Sequence, residues 1–224
     1  MLPRILCLHG QGTNAAIFKI QARKLVALLE QDFELVFAEG MIDCPAGPGI
    51  LPVFEKSGPF RMWLYDNWID SEPDEEPDWS SGVQRLADDV LVKQGPFVGV
   101  LGFSQGAKAA MHLLRWAEKK YGEDSPLKFS LLVCGTVPGR GVRDPDDRRC
   151  KVCEESLALG RVKAESIHVI GSDDHWRPES EALLKFFEPE TRNLVRFPGG
   201  HHMPLEDRVN TTLAQLVQAA YEGM

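Results

Sequence analysis

The chain has 224 residues, which is enough for one α/β domain with a substantial buried core. Its formal net charge of −8 argues against a nucleic-acid partner, and no apolar run reaches the roughly 18 residues of a membrane-spanning helix, which argues against a membrane partner. The apolar run at residues 5–8 is too short for the core of a signal peptide, which predicts a cytoplasmic protein. The five cysteines are widely spread and odd in number, a pattern that fits reduced thiols rather than a disulfide framework.

The beginning of the chain predicts a strand, a helix and a second strand. Residues 4–10 form an apolar run that ends in glycine, residues 15–30 carry apolar side chains at helical spacing, and residues 33–38 form another apolar run. A strand–helix–strand unit of this kind makes a right-handed crossover between parallel strands. We therefore expect a parallel sheet.

Residues 41–79 interrupt this alternation. They contain many prolines, an acidic patch at 66–78, and tryptophans that include Trp63 and Trp68. The segment is too long for an ordinary connecting loop, so it predicts a cap-like insertion over one end of the sheet. Its aromatic side chains either pack within the insertion or form the wall of a pocket for an acyl chain. On the second interpretation, Trp63 and Trp68 are the candidate pocket residues.

The rest of the chain alternates predicted helices and strands. In order, these are a helix at 80–93, a strand at 97–103, a helix at 106–121, a strand at 129–135, a polar loop at 136–153, a strand at 166–171, a helix at 179–187, a strand at 194–197 and a helix from about 205 to 221. The pattern predicts an α/β fold with a mostly parallel central sheet and helices on both faces. We expect a single domain over residues 1–224.

The motif G-x-S-x-G occurs at residues 102–106, between an apolar, β-favouring run and an alanine-rich, helix-favouring run. This context is that of a nucleophile elbow, a sharp strand-to-helix turn that exposes a serine hydroxyl, here that of Ser104. Its glycines let the strand and the helix approach closely. The backbone N–H of Gln105 is then expected at the helix N-terminus, facing a developing oxyanion. An ordinary glycine–serine turn between a strand and a helix can carry the same motif by chance. Other residues are therefore needed to distinguish it from a nucleophile elbow.

A nucleophilic serine needs a histidine base that is oriented by a carboxylate. In folds with this elbow, the partners follow in the order serine, acid, histidine, on loops after later strands. One such loop carries Asp173 and Asp174, and a later one carries His201 and His202. The order is the required one, and adjacency alone leaves both choices open.

A metal site is the alternative use of these side chains. Its candidate ligands are Asp173, Asp174, His175, His201 and His202. A compact ligand motif such as H-E-x-x-H is absent, and a metal site would leave the serine without a base, so we expect no metal. Cys150 and Cys153 form a lone C-x-x-C, for which two ordinary thiols are expected rather than a zinc or redox site.

Four motifs, taken in order, resemble the fungal-type serine hydrolase (FSH) family of the α/β-hydrolase superfamily. They are L-H-G at 8–10, G-P-F at 95–97 leading into G-F-S-Q-G-A at 102–107, H-V-I-G at 168–171 with an acid three residues later, and G-G-H at 199–201 with Pro204. The resemblance spans nearly the whole chain. Val98 departs from it, since many relatives carry an acidic residue there, but Val98 lies away from the site motifs.

The resemblance implies a cofactor-free hydrolase with Ser104 as nucleophile and His201 as base. It selects Asp174 as the acid, because the family pattern places the acid three residues after the H-V-I-G motif. It also implies an oxyanion hole formed by the backbone N–H groups of Gln11 and Gln105.

The implied activity is hydrolysis of a carboxylic ester or thioester through an acyl-enzyme, including the release or processing of a polyketide or other acyl chain in secondary metabolism. The expected partners are a small-molecule acyl ester or thioester and an acyl carrier domain that delivers the chain. Two alternatives stay open. One is an acyltransferase or condensing enzyme that uses the same acyl-enzyme, and the other is a non-catalytic binding module of the same fold.

Overall fold

The computed structural model describes residues 1–64, 79–137 and 158–223, so Trp68, Cys150 and Cys153 lie outside the described residues. The strands are β1 (Arg4–Leu8), β2 (Glu34–Phe37), β3 (Ile42–Asp43), β4 (Arg61–Met62), β5 (Gly99–Phe103), β6 (Phe129–Val133), β7 (Glu165–Gly171) and β8 (Arg192–Phe197). The α-helices are α1 (Ala15–Gln21), α2 (Arg23–Leu29), α3 (Trp79–Leu86), α4 (Gln105–Tyr121), α5 (Arg177–Leu183) and α6 (Asp207–Glu222). Across these ranges, no helix combines the length and the apolar character needed to cross a bilayer.

Six of the strands form one parallel sheet in the order β2-β1-β5-β6-β7-β8. The chain runs outward from β1 to β2 and then returns to the other side of β1 as β5. Ligand crevices form at such a reversal, beyond the carboxyl ends of the strands. The register pairs Leu8 with Gly102, which brings the loops after β1 and β5 side by side. The predicted α/β fold with a parallel sheet is confirmed.

The core consists of two apolar layers, one on each face of the sheet. Successive side chains of a strand point to opposite faces, so Leu6 and Leu8 of β1 join one layer while Ile5 and Cys7 join the other. The first layer includes the buried alanines of α4, and the second includes residues of α2 and α6. Helices therefore cover both faces, as they do in sheets whose strands are apolar throughout.

The predicted helix at 15–30 is two helices that meet at Ala22. This residue has φ −88° and ψ 3°, so its ψ departs from the helical value. The hydrogen bonds from Ala22 N to Phe18 O and from Val26 N to Ala22 O are both 2.9 Å, so the helical bonding continues across the distortion. Apolar spacing does not reveal such a break, because the buried side chains on either side keep their periodicity.

The described part of the predicted insertion, residues 41–64, is tied to the loop after β1. Its strands β3 and β4 pair antiparallel. The N–H of Gly12 donates to the carbonyl of Arg61 at 3.0 Å, and the N–H of Arg61 donates to the carbonyl of Thr13 at 2.7 Å. The N–H of Gly47 adds a bond of 3.0 Å to the carbonyl of Gly12. The segment therefore lies beside the reversal point of the sheet.

Candidate active site

The turn between β5 and α4 has the geometry of a nucleophile elbow. Ser104 has φ 54° and ψ −119°, a strained conformation for a residue with a side chain. Its backbone is held by hydrogen bonds from Ser104 N to Val133 O and from Ala107 N to Ser104 O, both 3.0 Å. A Cβ on Gly106 would clash with the carbonyl oxygen of Leu8, so glycine is what lets α4 approach the sheet. The turn presents a partly exposed serine at the carboxyl edge of the sheet.

The imidazole of His201 lies between Ser104 and Asp174. Its Nε2 is 2.9 Å from Oγ of Ser104, and its Nδ1 is 2.9 Å from Oδ2 of Asp174. An ionised carboxylate can only accept hydrogen bonds, so Nδ1 carries the ring proton and Nε2 is available to accept the serine proton. The loops after β5, β7 and β8 supply the three side chains, and they meet because the carboxyl ends of parallel strands lie at one edge of the sheet.

The carboxylate of Asp174 is fully buried, and hydrogen bonds keep it ionised. Its Oδ1 accepts the backbone N–H of Trp176 at 2.8 Å. Burial raises the pKa of Asp174. The hydrogen bond and charge of His201, the N–H of Trp176 and the thiol of Cys134 outweigh this effect, so the pKa of Asp174 lies below its ordinary value. At neutral pH the carboxylate is therefore charged and orients the imidazole.

Asp173 and His202 are the sequence neighbours of Asp174 and His201, and the structure places them away from the hydrogen-bond chain. Asp173 is exposed, whereas Asp174 contacts His201. His202 turns into its own loop, where its Nε2 accepts the backbone N–H of Gly200 at 3.2 Å. Of the two adjacent acids and the two adjacent histidines in the sequence, burial and hydrogen bonding thus select Asp174 and His201.

The loop after β1 lies against the elbow. A Cβ on Gly10 would stand 3.3 Å from Cβ of Ser104, so the next peptide, which carries the N–H of Gln11, lies close to the serine. The ring of His9 holds this loop, with Nδ1 2.8 Å from the carbonyl of Gly10 and with Nε2 accepting the N–H of Gly40 at 3.0 Å. Burial lowers the pKa of His9 to about 4, so the ring stays neutral and Nε2 keeps its acceptor role.

Trp63 lies beneath this loop and not at the surface of the site. Its side chain is 0% exposed, its Nε1 donates to the carbonyl of His9 at 2.7 Å, and its ring centroid is 4.8 Å from that of His9. The interpretation of Trp63 as a pocket wall is therefore corrected, because its indole leaves no surface for a substrate and instead supports the loop. The pocket role of Trp68 stays a prediction.

Cys134 is a site neighbour that the sequence analysis does not select. It directly follows β6, has φ 47°, and its Sγ lies 3.9 Å from the carbonyl of Gly200 and 3.8 Å from that of His202. Burial and the charge of Asp174 raise the pKa of Cys134 to about 12, so its thiol is neutral and able to donate. Its place after β6, between the strands that carry Ser104 and Asp174, is the signal that could have identified it.

Three side chains with metal-ligand atoms within 4.8 Å of one another occur in the described residues, namely Cys134, Asp174 and His201. This set differs from the metal ligands considered from the sequence. Two of those candidates, Asp173 and His175, are exposed in the structure. Asp174 and His201 already share a hydrogen bond, and the cysteine is a neutral thiol. The arrangement fits a hydrogen-bonded serine–histidine–aspartate group better than a cation site.

Comparison with known proteins gives consistent findings. A family model described as "Serine hydrolase (FSH1)" matches residues 1–213. Esterase FUS5 of Gibberella moniliformis is 35% identical, in an alignment that covers 98% of this chain and 87% of that protein. Thioesterase FSL2 of Gibberella zeae is 32% identical, with 99% and 94% covered. The crystal structure of Arabidopsis thaliana SOBER1 aligns with a TM-score of 0.62 over 99% of this chain and 100% of that chain, at 15% identity, which bears on the fold alone.

Proposed function

Because the chain belongs to the serine hydrolase (FSH1) family, we propose that it hydrolyses a carboxylic ester or thioester through an acyl-enzyme on Ser104. The observation that carries this proposal is the hydrogen-bond chain from Ser104 through His201 to Asp174, with 2.9 Å at both links. Such a chain supplies a nucleophile, a base and an orienting carboxylate, which together suffice for acyl transfer.

In the first half-reaction, Nε2 of His201 takes the hydroxyl proton as Oγ of Ser104 attacks the acyl carbonyl. The carboxylate of Asp174 stabilises the imidazolium that forms. The backbone N–H groups of Gln11 and Gln105 donate to the tetrahedral oxyanion. His201 then protonates the departing oxygen or sulfur, the C–O or C–S bond breaks, and the acyl group remains on the serine.

In the second half-reaction, water replaces the leaving group. His201 takes a proton from this water as its oxygen attacks the acyl carbonyl, and the same N–H donors receive the second oxyanion. Collapse of this intermediate returns the proton to Oγ of Ser104 and releases the carboxylic acid. Water is proposed as the acceptor because the relatives are named an esterase and a thioesterase.

An apolar acyl chain of medium length is the proposed substrate group. Leu51 and Val53 are exposed on the segment that Gly47 joins to the loop after β1, and this apolar surface supports the proposal. Release or processing of a polyketide or other acyl chain in secondary metabolism, with delivery on an acyl carrier domain, is part of this proposal. The described cysteines are free thiols, which supports the proposed cytoplasmic location.

The test is hydrolysis of straight-chain p-nitrophenyl esters and N-acetylcysteamine thioesters, from acetyl to dodecanoyl. We expect kcat/KM to rise with chain length before levelling. The Ser104→Ala variant should lose about three or more orders of magnitude. Ser57→Ala is the matched control, because Ser57 is exposed on the segment beside the site. Activity of Ser104→Ala within about tenfold of the parent would contradict the serine mechanism.

A further inference from the structure

The side chain of Gln105 is buried at the elbow, with 2% of the residue exposed, and it reaches segments far away in the sequence. Its Oε1 accepts the backbone N–H of Trp63 at 2.8 Å. Its Nε2 donates to the carbonyl of Leu64 at 3.0 Å and to Oε1 of Gln11 at 3.2 Å. The side chain thus contacts both the loop after β1 and the end of the described insertion.

These contacts determine the orientation of the Gln105 amide. One N–H of the amide faces the Leu64 carbonyl and the other faces Gln11, while the amide oxygen faces the N–H of Trp63. A flipped amide would place its oxygen against the carbonyl of Leu64 and its NH₂ group against another donor. A buried amide with these partners has one favourable orientation, so it acts as a rigid link.

The link reaches both residues that the proposed mechanism uses as oxyanion donors. Gln105 supplies one backbone N–H itself, and its side chain holds the side chain of Gln11, which supplies the other. Trp63 extends the link, because its indole donates to the carbonyl of His9 in the same loop. The contacts that connect the two donor residues therefore lie outside the serine–histidine–aspartate group.

We propose that the side chain of Gln105 is a positioning residue that holds the two oxyanion donors in register and ties the insertion to them at Trp63 and Leu64. The inference rests on the proposed function, because an oxyanion forms at this site only during acyl transfer. It concerns the side chain alone, since any substitution at 105 except proline keeps the backbone N–H.

The expected consequence of losing this link is specific. A donor displaced by a fraction of an ångström weakens its bond to the oxyanion more than its bond to the uncharged carbonyl of the bound substrate. The loss therefore falls on kcat and leaves KM almost unchanged. A residue that only packs the fold would instead lower thermal stability or the fraction of active protein, without altering turnover at each active site.

The experiment compares Gln105→Met, which keeps length and removes the hydrogen bonds, with Gln11→Ala, which removes one of them. The matched control is Gln215→Met on the exposed face of α6. Active sites are counted by end-point labelling with a fluorophosphonate, and kcat is expressed per labelled site. The inhibition constant of a trifluoromethyl ketone, which forms an oxyanion adduct with the serine, is the second readout.

For Gln105→Met we expect kcat per site to fall about tenfold or more, KM to change less than about threefold, and the inhibition constant to rise in parallel with the loss of kcat/KM. Gln11→Ala should show a smaller loss of the same kind, and the double variant should lose less than the product of the two, because both remove one shared contact. The control should match the parent.

Unchanged kcat per site and unchanged inhibition in Gln105→Met would overturn the inference. If Gln105→Met does not fold, the inhibition constant of Gln11→Ala decides, and an unchanged value there overturns it. Failure of the proposed function looks different, because the parent enzyme itself would then show neither labelling at Ser104 nor hydrolysis.

Discussion

Replacing Asp174 by asparagine reverses one hydrogen bond where the side chain is fully buried. In the parent protein the backbone N–H of Trp176 donates to Oδ1 of Asp174 at 2.8 Å, and the amide oxygen of asparagine can still accept this bond. The amide NH₂ group then faces Nδ1 of His201, so the imidazole must carry its proton on Nε2. A protonated Nε2 cannot accept the hydroxyl proton of Ser104, and the base is lost.

The size of this loss follows from two effects at the 2.9 Å contact between Asp174 and His201. The imidazole adopts the wrong tautomer, and the imidazolium of the transition state loses its buried counter-charge. We expect kcat/KM to fall about 10³- to 10⁴-fold, or about 4 to 5 kcal/mol of transition-state stabilisation. The folded structure should persist, because asparagine has nearly the shape of aspartate.

The assay is ester hydrolysis at pH 7, with thermal unfolding as the check on folding. Asp173→Asn is the matched control, because Asp173 is adjacent in sequence and exposed. We expect it to stay within about twofold of the parent. The reasoning is refuted if Asp174→Asn keeps activity within about tenfold of the parent, or if Asp173→Asn is the more damaging change.

Three further predictions concern metals, acid stability and Trp63. Exhaustive treatment with a strong chelator should leave kcat unchanged, and a loss restored by a divalent ion would assign a cation to Cys134 and its neighbours. Burial lowers the pKa of His9 to about 4 and the pKa values of His112 and His168 to about 3, all below the ordinary 6.5, so the unfolded chain binds more protons in acid. These groups leave the free energy of unfolding unchanged above about pH 6.5 and lower it by about 4 kcal/mol per pH unit as pH falls from 6 to 4. Urea unfolding should show this slope, and in His168→Gln about two thirds of it; an unaltered slope in that variant would contradict the assignment. Trp63→Phe removes the hydrogen bond to the His9 carbonyl, so it should lower kcat about threefold to tenfold without changing the acyl chain-length preference. A changed preference would return Trp63 to the pocket wall.

The sequence predicts the parallel sheet and the three side chains of the candidate site, because both depend on patterns that are local in the chain. Apolar runs bounded by glycines predicted the strands, and the loops after them carry Ser104, Asp174 and His201. Since parallel strands end at one edge, that order alone brings the three side chains near one another, and the hydrogen bonds at 2.9 Å are what the structure adds.

The residues that sequence reasoning missed are those whose roles depend on sheet order or burial. Cys134 approaches Asp174 only because β6 lies between β5 and β7. Trp63 was predicted at a pocket surface, but its buried position depends on bonds to His9 and Gln105, which are far away in the sequence. The break at Ala22 leaves the apolar periodicity intact, so no spacing argument could detect it.

The central claim is that an acyl group is carried on Ser104. The most direct measurement is to mix the enzyme with a p-nitrophenyl ester, quench in acid within the first turnover, digest the protein and identify the acylated peptide by mass spectrometry. The mechanism predicts one acyl adduct, located on the peptide that contains Ser104, and a burst of p-nitrophenol that matches the amount of enzyme. The Ser104→Ala variant should show neither the adduct nor the burst. Steady hydrolysis with no burst and no adduct on Ser104, or an adduct on another residue, would contradict the account.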